Sequence, residues 1–226
     1  MKKFMMTLAV LMMAVVSANA QHEPGTFCIQ PKAGIGLSWL SNAGDLNIGG
    51  AEYDIPNVKL DKSVTFAGMI GAEAEYQITD MFSVAAGLNF SLQGTGWSNK
   101  TIRTTEGEFD IKDTRIQLCY FNIPVVANVY VFKGFAVKAG VQVGFLTSAN
   151  TKATLKGNSR QVDIDRSISD ECKKVDFSIP VGVSYEFSTP IVVDLRYNIG
   201  VTKVNKVGES MRNNVIMATV GYKFEL

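Results

Sequence analysis

Charged residues spaced two positions apart inside apolar stretches are the feature of this sequence with the clearest chemical consequence. Glu73 and Glu75 form one such pair, and Asp194 and Arg196 form another. Residues i and i+2 of a β-strand lie on the same face, so each pair would place two charges on one side of a sheet. Lys138 is a further charge within an alternating apolar stretch. We predict that these five side chains join one buried structural network, because an unpaired buried ion costs several kcal/mol.

The sequence offers little for catalysis or metal binding. Its single histidine, His22, lies in what we expect to be a tail after a cleavage site, whereas a catalytic histidine must be held within hydrogen-bond reach of the reacting group. The loop residues Asp163, Asp165, Asp170 and Glu171 lack the spacing of a calcium-binding loop, so we interpret them as solvated charges. We therefore predict a non-enzymatic protein with no metal ion and no cofactor.

The amino-terminal residues predict export from the cytoplasm. Lys2 and Lys3 precede an apolar stretch over residues 4–16, and the small residues that follow are typical of a signal-peptide cleavage site. The apolar stretch is shorter than the about 20 residues of a membrane-spanning helix. We predict a signal peptide at residues 1–20 and one domain over residues 21–226.

Eight segments of the mature chain alternate apolar and polar residues over roughly the 9–11 residues that let a tilted strand cross a bilayer. From Val175 to Phe187 one parity is apolar, while the other carries Asp176, Ser178 and Glu186. The other seven segments begin at Ala33, Phe66, Phe82, Ile116, Phe135, Ile191 and Ile216. This alternation predicts strands with one face toward lipid and one toward a barrel interior.

The segment from Ile116 to Phe132 has no charged residue and needs a separate argument, because it could be a membrane helix. Proline inside a helix costs about 3 kcal/mol, and Pro124 lies in the middle of this segment. Its β-branched residues fit a pleated strand better. We predict a strand in which Pro124 marks a bulge or a local break, since proline cannot donate to the ladder.

The connections between these segments alternate in length. Residues 79–81, 132–134 and 188–190 are short, whereas residues 41–62, 97–114, 147–174 and 202–212 are long and polar. Outer-membrane barrels keep their periplasmic turns short and their outer loops long. The sequence thus predicts an all-β fold, an eight-stranded antiparallel transmembrane up-and-down β-barrel, in the outer membrane of a Gram-negative bacterium. Both termini would be periplasmic, and four loops would lie outside.

One strand also carries a family resemblance. Tyr120-Phe121-Asn122-Ile123-Pro124-Val125 resembles the "YLEIPLLLKY" strand of PorT-like outer-membrane β-barrel proteins of Bacteroidota. The glycine-rich residues 32–36 and the aromatic last strand at 221–224 are similar to small barrels of the OmpA/OmpX kind. The chain departs from the family pattern in two places, with Asn122 where the family often has Glu and with Glu225-Leu226 in place of an aromatic end. The resemblance implies an eight-stranded outer-membrane barrel, and PorT-type members serve a secretion system.

Aromatic residues and cysteines give further expectations. Eight aromatics near the predicted strand ends would form girdles at the membrane interfaces: Trp39, Tyr76, Trp97, Tyr130, Phe132, Phe135, Phe187 and Tyr197. For the cysteines we predict free thiols, with a disulfide between Cys119 and Cys172 as the alternative, because only these two would lie at a similar height.

The long loops direct the functional prediction. Residues 97–103 and 108–112 could extend as a hairpin beyond the membrane, which would either bind a partner by strand addition or shield the barrel mouth. The leading prediction is a structural or surface-interaction barrel, the rival is a component of secretion or envelope assembly, and the third is a narrow pore. Expected partners are outer-membrane lipid and envelope or secretion proteins.

The formal net charge of +1 gives no reason to expect nucleic-acid binding. The sequence predicts no oligomeric state.

Overall fold

The computed structural model describes residues 23–50, 55–104, 107–156 and 161–226. The predicted signal peptide, residues 1–20, and His22 lie outside the described residues. Within the described ranges no helix is long and apolar enough to cross a membrane.

Fourteen strands make up the described fold. In chain order they are β1 (Phe27–Ser41), β2 (Leu46–Gly50), β3 (Ile55–Leu60), β4 (Lys62–Ser63), β5 (Thr65–Thr79), β6 (Phe82–Trp97), β7 (Lys100–Thr104), β8 (Gly107–Phe132), β9 (Phe135–Lys156), β10 (Gln161–Ser167), β11 (Val175–Glu186), β12 (Ile191–Gly200), β13 (Arg212–Tyr222) and β14 (Phe224–Glu225). Eight of them close into an antiparallel ring in the order β1-β5-β6-β8-β9-β11-β12-β13, with β13 paired to β1. The predicted eight-stranded barrel is confirmed.

The side chains of the ring follow the predicted alternation. On β11, Phe177 and Ile179 are exposed, while Asp176 and Ser178 are buried. The same division holds around the ring, where the exposed parity is largely apolar and the buried parity is rich in amides, hydroxyls and charges. An apolar outside and a polar inside is the pattern that a barrel needs when its outer surface faces lipid.

Proline interrupts the ladders without changing their register. The β6–β8 pairing runs to Ala86 opposite Val125 and resumes in the same register with Asn89 opposite Asn122. Pro124 therefore marks a local break, as one of the two predicted outcomes, and not a bulge. On the other side of β8 the register shifts between Cys119 and Tyr120 instead.

The two ends of the barrel differ as predicted in the lengths of their connections. The described residues begin and end at the short-turn end, where Gly25 donates to the carbonyl of Gln77 at 2.8 Å and Leu226 donates to that of Phe27 at 2.9 Å. The long connections at the other end are more regular than predicted, because β8 begins at Gly107 and β9 continues to Lys156. These polar stretches lack apolar alternation since both of their faces lie beyond the apolar band, which is why the sequence indicated loops.

A four-stranded sheet in the order β7-β8-β9-β10 therefore projects beyond the ring, and we call it the outer sheet. Leu60 and Ile111 are buried at the base of this sheet, with Leu46, Trp97, Ile102 and Leu155 packed around them. The prediction that Trp97 belongs to an interfacial girdle is wrong. Its Nε1 donates to the carbonyl of Gly44 at 3.2 Å, and its ring packs in this small apolar core.

Candidate functional site

The barrel interior contains four buried cations and four buried anions that contact one another. The cations are Lys32, Lys138, Arg196 and Lys223, and the anions are Glu73, Glu75, Glu186 and Asp194. They divide into two clusters. A further buried carboxylate, Asp176, lies apart near the long-loop end and accepts a hydrogen bond from Thr202 Oγ1 at 2.6 Å.

The central cluster joins residues from four strands. Arg196 donates to both carboxylate oxygens of Glu73, at 2.8 and 3.3 Å, and to Asp194 at 2.9 Å. Lys32 contacts Glu73 at 2.6 Å, and Lys138 contacts Asp194 at 2.8 Å. The structure thus brings together four of the five residues predicted from the sequence and adds Lys32. Three cations and two anions leave this cluster with a charge of +1.

The turn-side cluster lies nearer the short turns and contains the fifth predicted residue, Glu75. Lys223 contacts Glu75 at 2.9 Å and Glu186 at 2.7 Å. Tyr130 Oη donates to Glu75 at 2.7 Å, and Asn128 donates to the same carboxylate at 3.1 Å. One cation and two anions give a charge of −1, so the two clusters together are neutral.

The position of Tyr130 corrects a second girdle prediction. Its side chain is buried inside the barrel, where its hydroxyl bonds Glu75. Tyr130 shares its parity on β8 with Asn122 and Asn128, which are also buried. Parity alone would therefore have placed it correctly, but proximity to the strand end favoured an interfacial position.

Amide and hydroxyl side chains fill the interior on the long-loop side of the central cluster. Asn122 donates to Asn89 at 2.9 Å and to Ser91 at 2.8 Å. A cavity of about 20 Å³ lies between this layer and the central cluster, bordered by Lys32, Arg196 and other interior residues. A space of that size holds about one water molecule, so side chains occupy the interior nearly completely.

An apolar cap closes the barrel at the long-loop end. It consists of Leu40, Ala43, Leu118, Tyr120, Leu146, Ala149, Cys172 and Val204. The last two long connections meet there, because Lys173 donates to the carbonyl of Val204 at 2.6 Å. A cleft of about 410 Å³ opens beside the cap.

The three cysteines are unpaired. The structure therefore has free thiols, in agreement with the main prediction and not with the alternative Cys119–Cys172 disulfide. Burial raises the pKa of the Cys172 thiol, which keeps this thiol protonated and unreactive.

The residues of the family motif occupy the barrel wall. Asn122 and Pro124 are buried in the interior with Tyr120, while Val125 is exposed on the lipid side. Phe121 packs against Phe90, with ring centroids 5.2 Å apart. The remaining motif residue, Ile123, is half-buried on the same parity as Phe121 and Val125. The motif thus specifies a wall strand, and its side chains serve packing and interior hydrogen bonds.

The outer sheet ends in an open edge. Strand β10 pairs with β9 and, among the described residues, with no other strand. All seven of its side chains are exposed, including the apolar Val162 and Ile164 at 53% and 41%. The hairpin expected in residues 97–112 is present as β7 and the start of β8, and β7 is the other end strand of the outer sheet. Strand β10 differs from β7 in that every one of its side chains is exposed, whereas Ile102 of β7 packs in the small apolar core.

The hydrogen-bond pattern identifies which groups of β10 face outward from this edge. The N–H of Ile168 donates to the carbonyl of Ala149 at 2.8 Å, in the same register as the β10–β9 ladder. Bonded pairs alternate along an antiparallel ladder, so the even-numbered residues of β10 bond β9. The N–H and C=O groups of Asp163 and Asp165 therefore point to the open side.

No metal site accompanies these features: within the described ranges, no group of three or more His, Cys, Asp or Glu side chains is arranged to hold an ion. The arrangement offers a filled interior whose two charged clusters are together neutral, and a polar outer sheet whose end strand β10 has an open edge.

The family comparison agrees with the fold. The sequence matches the model of the family described as outer membrane protein beta-barrel domain over residues 19–206. It is similar to the structure of neisserial surface protein A, with 16% identity, 88% of this chain and 97% of that chain covered, and a TM-score of 0.43. It is also similar to the attachment invasion locus protein Ail of Yersinia pestis, with 12% identity, 90% and 100% covered, and a TM-score of 0.36. TM-scores this low support no inference about ligands. No curated protein matches the chain.

Proposed function

We propose that the chain, which belongs to the outer membrane protein β-barrel domain family, acts at the cell surface as a non-enzymatic interaction protein. In this proposal the ring anchors the chain in the outer membrane with both termini on the periplasmic side. The long connections and the outer sheet then face the exterior. The short turns at the end where the described residues begin and finish support this orientation, since outer-membrane barrels keep their periplasmic turns short.

The open edge of β10 is the observation that carries the interaction role. An unpaired strand edge exposes N–H and C=O groups that can pair with an extended segment of another chain. Natural proteins usually shorten, cover or twist such edges. Here a seven-residue strand stands beyond the apolar band with every side chain exposed, and its outward groups are ready to bond.

The side chains of β10 indicate the partner's chemistry. Val162 and Ile164 continue the apolar face that begins at Leu155. Asp163 and Asp165 occupy the opposite face, where they contact Thr154 at 2.9 Å and Lys152 at 3.2 Å. An extended segment that alternates apolar and basic residues fits both faces. A second copy of β10 fits poorly, because antiparallel self-pairing centred on Ile164 would set aspartates opposite each other.

The interior supports a structural role for the charged residues and disfavours the pore alternative. An eight-stranded barrel has room for side chains but not for an aqueous channel. The central cluster, the amide layer and the apolar cap fill the barrel interior one after another toward the long-loop end. We propose that the two charged clusters stabilise the barrel and do not conduct ions.

Partner capture tests the interaction role. The tagged full chain would be isolated from detergent-solubilised envelopes of its own host, and its copurifying proteins would be identified. Asp163→Pro removes an outward N–H without removing a bond to β9, and Asp163→Ala is the matched control that keeps this N–H. We expect a partner that wild type and Asp163→Ala retain and Asp163→Pro loses. Equal capture by all three variants, or a barrel recovered alone, would contradict the proposal.

The same experiment separates the secretion alternative. PorT-like membership predicts a stoichiometric envelope or secretion component whose binding does not depend on β10. Capture of such a component by Asp163→Pro would favour a machine subunit over a surface-interaction protein.

A further inference from the structure

The barrel wall has a gap where β5 and β6 approach the long-loop end. Their ladder ends with Gly68 opposite Leu92. Pairing resumes between β4 and β6 with Ser63 opposite Gly96, one residue out of step with the first register. Between these points residues 93–95 of β6 pair with neither β5 nor β4. The N–H of Gly94, left without a strand partner on this side, donates to Ser38 Oγ at 2.8 Å.

A groove of about 180 Å³ follows this gap. On the outward parity of β6, Leu92 is followed by Gly94 and Gly96, which stand opposite Gln117 and Arg115 of β8. The two glycines bring no side chain to the space, so the neighbouring strands line it. Thr65, Phe66, Leu92, Gln93, Arg115, Ile116 and Gln117 form its walls.

The groove is amphipathic along its length. Phe66, which is 58% exposed, and Leu92 belong to the apolar outward band of the ring. Gln117 and Arg115 are the next outward groups toward the loops on β8. The groove thus crosses the boundary at which the lipid-facing surface changes from apolar to polar.

Arg115 supplies a positive charge that no described carboxylate neutralises. It is half-buried and, among the described residues, contacts no carboxylate within ion-pair distance. Its cross-strand neighbour on β9 is Lys152, which pairs with Asp165 at 3.2 Å. One cation therefore remains in excess. An arginine at this position can hold a phosphate through two parallel hydrogen bonds.

We propose that this groove binds one phosphorylated lipid of the outer leaflet, with part of an acyl chain against Phe66 and Leu92 and the phosphate at Arg115. Two features select this occupant over others. The apolar end opens on the lipid-facing side of the ring, and the polar end carries an uncompensated guanidinium at the height of the headgroups. The site is independent of the partner proposed for β10.

Native mass spectrometry of the full chain in detergent tests the site. The protein would be titrated with phosphatidylglycerol, with diacylglycerol of the same chains as a lipid lacking phosphate, and with inorganic phosphate. We expect wild type to retain a single phosphatidylglycerol and to retain diacylglycerol at least about tenfold less, the ratio produced by about 1.4 kcal/mol. Inorganic phosphate at millimolar concentration should not displace the lipid.

Matched variants locate the binding. Arg115→Gln should lower retention of phosphatidylglycerol about tenfold, and Arg115→Lys should lower it less because the charge remains. Gln117→Phe should lower it by filling the groove without a change of charge. Arg166→Gln, at an exposed arginine of β10, should have no effect. Equal retention by wild type and Arg115→Gln, or equal retention of both lipids, would show annular lipid only and overturn the proposal. Displacement by inorganic phosphate would show a free-anion site and also overturn it.

Discussion

Replacing Arg196 by alanine should destabilise the barrel, because this guanidinium connects the two carboxylates of the central cluster. The substitution removes its hydrogen bonds to Glu73 at 2.8 and 3.3 Å and to Asp194 at 2.9 Å. Loss of one partner from a buried ion pair typically costs about 3–5 kcal/mol. Each carboxylate keeps a lysine, Lys32 or Lys138, so the lower end of this range, about 3 kcal/mol, is expected.

Thermal unfolding in detergent, followed by the circular-dichroism band of the strands, measures this loss. At about 2–4 °C per kcal/mol for a chain of this size, Tm should fall by roughly 6–12 °C. Arg196→Met separates the loss of charge from the loss of volume and should still lower Tm. Arg166→Ala is the matched control, since its side chain is 75% exposed and its pair with Glu171 spans 3.3 Å; exposed pairs of this kind contribute about 0–1 kcal/mol. An unchanged Tm in Arg196→Ala would refute a stabilising role for the network.

Three further predictions follow from single contacts. Tyr130→Phe removes the hydroxyl that donates to Glu75 and should destabilise the barrel by about 1.5–3 kcal/mol in the same melting assay; no change would contradict the contact. Gly94→Ala should lower the yield of protein refolded into detergent, since Gly94 has φ +147° and an added Cβ would meet the backbone of β8. Gly96→Ala is the control, because a Cβ there meets only ordinary contacts, and it should refold like wild type. Hydrogen bonds from a lysine side chain and a backbone N–H hold the pKa of Asp45 below its ordinary value of 3.8. The stabilisation of the folded state by these bonds is therefore present above pH 3.8 and is lost as the pH falls through the lower pKa of the folded state. A carboxyl NMR titration with a midpoint at or above 3.8 would disprove this pairing.

The wall strands could be predicted from the sequence because their environment imposes a period of two. Lipid accepts only apolar residues on one face, and the narrow interior collects the polar ones, so Phe177 and Asp176 fall on opposite sides as expected. The parity of Glu73 and Arg196 likewise identified them as interior residues. Their mutual contact is a consequence of strand order around a closed ring.

The division of the charges into two clusters could not be predicted in the same way. Glu73 and Glu75 lie two residues apart on one strand, yet the first meets Arg196 and the second meets Lys223. Which cation stands at which height depends on the stagger between neighbouring strands. The alternation of residues along a single strand does not reveal that stagger.

The outer sheet could not be predicted from the sequence for a different physical reason. Residues 147–156 continue β9 with threonines, lysines and an asparagine, and both faces of this extension lie beyond the lipid. No apolar alternation is required there, so the sequence looks like a loop. The hairpin predicted in residues 97–112 is present, and the structure shows Ile102 and Ile111 packed together in its small apolar core.

Site-specific photo-cross-linking from β10 on intact cells tests the proposed interaction role most directly. A photoreactive residue at Val162, which is 53% exposed, should form a discrete adduct with a partner protein, and this adduct should disappear when Asp163→Pro is added. The same group at lipid-facing Ile70 serves as the control and should give no protein adduct. An absent adduct at Val162, or an adduct that Asp163→Pro leaves unchanged, would contradict recognition through the open edge of β10.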